Sequence, residues 1–86
     1  MKEEQYLKKI SEELEEKYEE AVSTLELGKL EEAKDKFQEI LEEEEDFVPA
    51  YNKLAVISFY EENLDKAEKW LEEAETYQPK GKDINK

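Results

Sequence analysis

The feature that most constrains this chain is a repeat of 34 positions. Leu30, Ala33, Phe37 and Ile40 recur as Leu64, Ala67, Leu71 and Ala74, and upstream Ala21, Val22 and Leu25 recur as Ala55, Val56 and Phe59. Residues of similar size at one fixed period indicate two copies of a single supersecondary unit. Inside each copy the apolar residues step by three and four, the stripe of an amphipathic helix. Leu27-Gly28-Lys29 breaks the first copy and Glu61-Glu62-Asn63 the second. The repeating unit is therefore helix-turn-helix, and the fold class is all-α.

In chain order, residues 2 to 27 hold no Pro or Gly and predict one long helix. Tyr6, Leu7, Ile10, Leu14, Tyr18, Ala21, Val22 and Leu25 form its stripe. Ser11 followed by Glu12 and Glu13 offers an alternative start. The helix-prone Tyr6–Ile10 segment before it favours continuity. Gly28 suits the left-handed residue that ends a helix. A second helix is expected from about Leu30 to Glu44, fraying at Glu42–Asp46 because acids at a helix C-terminus oppose its dipole. Asp46 is a candidate cap and Pro49 a first-turn residue for a third helix ending near Glu61. Asn63 is the substitute for glycine in the second turn. The fourth helix spans Leu64 to about Tyr77 and is stopped by Gln78-Pro79-Lys80-Gly81. The expected divisions are an extension of helix one (residues 1–13), a first repeat (14–47), a second repeat (48–81) and a loose polar tail (82–86).

Composition excludes several functions. The formal net charge is −13, with 26 acidic residues against 13 basic ones, which repels nucleic acid and anionic membrane surfaces. It favours partners with basic patches, chiefly through association rate and specificity. The competing explanation is plain solubility and helix formation, for which Glu and Lys are well suited. Cysteine is absent, which is compatible with a reducing cytosol. No apolar run is long enough to span a bilayer, and no signal-peptide core follows Met1. The expected location is cytoplasmic.

The spacing resembles the tetratricopeptide repeat. That family shows large-x₂-Leu-small-x₂-large, then Ala, a large residue four later, and Pro. Tyr51 stands at the leading aromatic, Leu54-Ala55 at the Leu-small pair, Ala67 and Ala74 at the small positions, Leu71 at the large one and Pro79 at the terminator. Ser58 departs, standing where an aromatic is usual. Residues 14 to 47 fit at Ala21, Gly28, Ala33 and Phe37. They depart at Lys17, Glu20 and Thr24, which replace Tyr51, Leu54 and Ser58. Those polar residues read as a terminal unit with no earlier repeat to cover it. The resemblance implies two antiparallel hairpins in a right-handed superhelical stack, with the first helix extended at its N-terminus.

Repeat stacks need about three units or polar caps to bury their faces. Leu7 and Ile10 at one end, and Trp70 and Tyr77 at the other, have no obvious cover. They form a candidate homodimer surface. Against it stand a bent-back first helix and a marginal monomer.

No catalytic constellation is present, and the chain reads as a non-enzyme. His and Cys are absent, and Ser11, Ser23 and Ser58 have no His partner. No phosphate-binding glycine loop exists. Glu42–Asp46 lacks the alternating ligands of a calcium loop and reads as a solvated helix end. No cofactor or metal is expected. What remains is binding. The resemblance implies a concave groove lined by Tyr18, Val22, Leu25 and Glu26 from helix one and by Asn52, Val56, Phe59 and Tyr60 from helix three. Apolar and aromatic residues beside acids suit a protein or peptide segment with apolar anchors and basic residues. Alternatively, Tyr18, Val22, Val56 and Phe59 are ordinary core. Glu15, Glu19 and Glu26 disfavour a terminal carboxylate as ligand, although Asn52 and Lys53 are present. The expected function is a protein-binding scaffold module. The alternatives are a self-assembling structural unit and a piece of a longer repeat array.

Overall fold

The computed structural model describes the backbone of residues 2–77 and the side chains of residues 12–77. All of the secondary structure among these residues is helical: α1 (Lys2–Glu26), α2 (Leu30–Glu43), α3 (Val48–Tyr60) and α4 (Leu64–Tyr77). The helix-stopping segment 78–81 and the tail 82–86 lie outside the described residues. α1 runs unbroken through Ser11, as its helix-prone first turns predict. Among the described residues no helix is long and apolar enough to cross a membrane.

The connections are short, so α1 folds back on α2 and α3 on α4, and α2 then packs on α3. The two tight turns use the same backbone hydrogen bonds, 34 positions apart. Gly28 N–H donates to Leu25 O (2.8 Å) and Glu62 N–H to Phe59 O (2.9 Å). Lys29 N–H donates to Thr24 O (3.3 Å) and Asn63 N–H to Ser58 O (2.8 Å). Both turns place a left-handed residue after the helix, as a helix C-terminus favours. In the first it is Gly28 (φ 84°), and in the second it is Glu62 (φ 61°). The expectation for Asn63 is corrected here. Asn63 is not the left-handed residue but the cap of α4, and its Oδ1 accepts the Lys66 N–H at 3.2 Å. A short amide side chain serves either role, and the register of the turn decides between them.

The third connection also differs from expectation. Phe47, not Asp46, precedes α3, with no side-chain cap bond, while Pro49 lies in the first turn. Phe47 is held by its ring, whose centroid lies 5.6 Å from that of Tyr18. Asp46 instead sits beside Glu44. The hydrogen bond between the two side chains and their like charges hold the Glu44 carboxyl above its usual pKa.

The core lies where the hairpins meet. Phe37, Ile40, Leu54 and Ile57 are its largest fully buried side chains. Each contributes about 1.5–3 kcal/mol by leaving water. Ala21, Ala33, Ala50, Ala55, Ala67 and Ala74 are all buried. Their small side chains let the helix axes approach closely, and two pairs of them, Ala21 with Ala55 and Ala33 with Ala67, repeat with the period of the hairpin.

The two hairpins close on themselves with different chemistry at matching positions. Lys17 on α1 forms an ion pair with Glu43 on α2. Their counterparts 34 residues on, Tyr51 and Tyr77, stack with centroids 5.7 Å apart and planes 12° apart. Likewise Lys36 pairs with Glu20 at 3.3 Å, where the second hairpin holds Trp70 and Leu54. Lys17 and Glu20, polar where the second hairpin is apolar, are thus used within the first hairpin. Thr24 is an exception to the expectation of an open polar face. It is 8% exposed, and its hydroxyl donates to Glu20 O at 3.0 Å.

Candidate functional site

A cleft of about 590 Å³ opens between the C-terminal half of α1, the start of α2 and the outer face of α3. It is lined by Val22, Leu25, Glu26, Gly28, Leu30, Lys53, Val56 and Tyr60. The α3 residues arise from helical spacing. Lys53, Val56 and Tyr60 step by three and four and share one face. On α1, Leu25 and Glu26 lie three and four residues after Val22 and flank it on the same side. Leu30 enters because Gly28 ends α1 sharply and turns α2 back beside it. The walls are apolar, with Glu26 on one side and Lys53 on the other. A ligand of either charge therefore meets one attractive and one repulsive side chain.

Five of the eight groove residues expected from the sequence line this cleft: Val22, Leu25, Glu26, Val56 and Tyr60. The other three are elsewhere. Tyr18 is half-buried and turns inward, its ring edge-on to Phe37 at 5.8 Å. Burial raises its phenol pKa above the ordinary value. Asn52 is exposed and lines no part of the cleft. Phe59 lines a separate depression with Leu64, Asp65, Ala67, Glu68 and Leu71. The physical reason is the 100° advance per residue in an α-helix. Asn52 and Phe59 form one stripe of α3, and Lys53 and Tyr60 the next stripe round. On α3 the cleft takes the Lys53–Tyr60 stripe and leaves the Asn52–Phe59 stripe outside. Gly28, Leu30 and Lys53 line the cleft without being among the eight expected residues. The sequence marks Lys53 only as a possible carboxylate contact, and its i+3 relation to Val56 is the signal that places it in the cleft.

On the other side of α3, a cleft of about 530 Å³ lies between α2 and α4, with Tyr51, Trp70 and Leu41 among its walls and Lys66, Lys69, Glu42 and Glu73 around them. Trp70, expected at a dimer surface, is half-buried here against Tyr51 at 6.1 Å. Tyr77 covers the other part of Tyr51 and donates its hydroxyl to Glu45 Oε1 at 3.4 Å. Both aromatics thus have partners within the chain. The side chains of Leu7 and Ile10, the other half of that expected surface, lie outside the described residues. The Tyr51 hydroxyl donates to Glu45 O at 2.7 Å. Its pKa is pushed up to about 12, first by burial and then by the neighbouring Tyr77 and carboxylates.

Among the described residues no cluster of His, Cys, Asp or Glu is arranged to hold a metal ion. Compared with family models, curated proteins and solved structures, the chain finds no match in any of the three.

Proposed function

We propose that this chain is a protein-binding module built from two tetratricopeptide-like hairpins in a right-handed stack, and that the cleft between α1 and α3 takes a peptide segment. The observation that carries this reading is the convergence of Val22, Leu25, Leu30 and Val56 on one open apolar cleft. Open apolar clefts with a few polar groups at the rim are the usual form of a recognition site. The 34-residue recurrence of turn hydrogen bonds supports the repeat assignment. The ligand is a short segment with apolar side chains for the cleft floor and a basic residue for Glu26. The acidic net charge speeds its encounter.

The reading is tested by selection from a displayed library of random peptides. Enriched sequences should share two apolar anchors and a basic residue. Their binding should fall about tenfold or more with Val56→Glu, because a charge placed on the floor must be desolvated. Absence of enrichment, or enriched peptides indifferent to Val56→Glu, overturns it.

A further inference from the structure

We infer that the free face of α3 and α4, formed by Phe59, Leu64 and Leu71, is a docking site for an amphipathic helix of a partner that carries a basic residue one turn beyond its apolar triplet. The inference is independent of the α1–α3 cleft.

The protein contains the template for this contact. Phe59, Leu64, Ala67 and Leu71 correspond, 34 positions on, to Leu25, Leu30, Ala33 and Phe37. In the first hairpin those four residues pack in or against the common core, in one cluster with Ala50, Leu54 and Ile57 of α3. Phe37 is fully buried as a result. Among the described residues, nothing in the second hairpin takes the place of α3. Phe59 is 53% exposed, Leu64 62% and Leu71 42%, while Ala67 between them is buried. The depression they line measures about 340 Å³. The helix that fits is one presenting Ala, Leu and Ile at the spacing of Ala50, Leu54 and Ile57.

Charge decides what kind of helix it is. Where α3 covers the first hairpin, Lys34 pairs with Glu61 at 3.0 Å. This contact also holds the Lys34 ammonium pKa above its usual value. The counterpart of Lys34 on the free face is Glu68, with Asp65 beside it. The pair is therefore inverted. The docked helix needs Lys or Arg where α3 has Glu61, four residues after its Ile57 equivalent.

The same comparison disfavours a second copy docked through residues 16–23 of its α1 or through this same face. In head-to-tail stacking α1 takes the part of α3. It presents Glu16, Glu20 and Ser23 at the positions of Ala50, Leu54 and Ile57, setting carboxylates against Phe59 and Leu71. Two copies meeting face to face bring together two patches that each carry Asp65 and Glu68, between chains of net charge −13. Like charges brought together are costly.

Two fluorescein-labelled alanine–glutamine helices test the assignment. Each carries Ala, Leu and Ile at the spacing above, followed by Lys in one peptide and Glu in the other. Anisotropy against the full chain at low salt should show the Lys peptide binding about fivefold tighter, the upper range for an exposed ion pair. Glu68→Lys should reverse the order. Phe59→Asp and Leu71→Asp should each weaken both peptides about tenfold, as loss of a large apolar contact does, with helicity checked by circular dichroism. Loss of binding with Val56→Glu but not with Leu71→Asp places the peptides in the α1–α3 cleft and overturns the inference. Glu68 is exposed, so the reversal is readable even if an apolar substitution unfolds the chain. The inference is overturned if neither peptide binds at millimolar concentration or if Glu68→Lys leaves the order unchanged. It is also overturned if sedimentation finds a dimer that Leu71→Asp dissociates.

Discussion

Glu62 shows most directly how a single residue carries the architecture. It adopts φ 61°, a region that L-residues with a Cβ enter at a cost. The hairpin requires it, because the Phe59 and Ser58 carbonyls must meet the N–H groups of Glu62 and Asn63. Gly28 meets the same need without that cost, and a Cβ placed on it has nothing within 4 Å. Backbone conformation alone therefore separates the two sites. Glu62→Gly should stabilise the fold by about 0.5–1 kcal/mol, the left-handed penalty less the entropy glycine adds to the unfolded chain. Gly28→Ala should destabilise it by about 1 kcal/mol. Urea melts of both variants check the opposite signs.

Tyr51 gives the residue scale its pH dependence. The folded state holds its phenol neutral up to about pH 12, against an ordinary value of 10.0. A raised pKa on an acid means the folded state binds the proton more tightly. That contribution is fully present below pH 10 and disappears as pH climbs towards 12. The melting temperature should therefore fall over this window, and less so in Tyr51→Phe. Absorbance at 295 nm should show one tyrosine ionising later than the rest, and loss of that late step in the variant identifies it.

At the scale of elements, corresponding helices do different work. α2 is sandwiched between α1 and α3, whereas α4 has α3 on one side and an open face on the other. Phe37 and Leu71 occupy the same place in their hairpins. Phe37→Ala should cost about 3–5 kcal/mol, the usual loss for a fully buried aromatic. Leu71→Ala should cost less than about 1 kcal/mol, since much of that side chain is already in water. Comparable losses at the two positions, measured by chemical denaturation, contradict the description of α4 as an end element. The pairs Lys17–Glu43 and Tyr51–Tyr77 make the same point. One hairpin closes with charges and the other with rings, although the helices meet at the same positions.

At the scale of the whole molecule, the described part of α1 turns a polar face outward, and α3 and α4 leave an apolar one exposed. α1 turns Glu16 and Glu20 outward where α3 turns Ala50 and Leu54 inward. Phe59, Leu64 and Leu71 stay open at the other end. That face, among the described residues, is of the kind the chain buries at its own centre.

Helix number, turn positions and the alanine pattern were legible in the residues. Periods of 3.6 and 34 are local or nearly local properties, and Gly28 and Pro49 punctuate them. The packing of Phe37 and Ile40 follows from the same stripe. Trp70 and Tyr77 also pack on Tyr51, a contact their own stripe does not announce, while Tyr77 stays exposed and Trp70 half-buried. Phe59 was expected in the cleft beside Val56, but it faces the free end. Neither placement is fixed by periodicity, because a stripe gives a face's direction only to within about one residue, and one residue is 100° of helix. The choice between neighbouring stripes was made by how α2 seats on α3, a contact between residues far apart in the chain. Sequence alone determined that four helices form and where they turn; tertiary packing decided which of their apolar side chains remain in water.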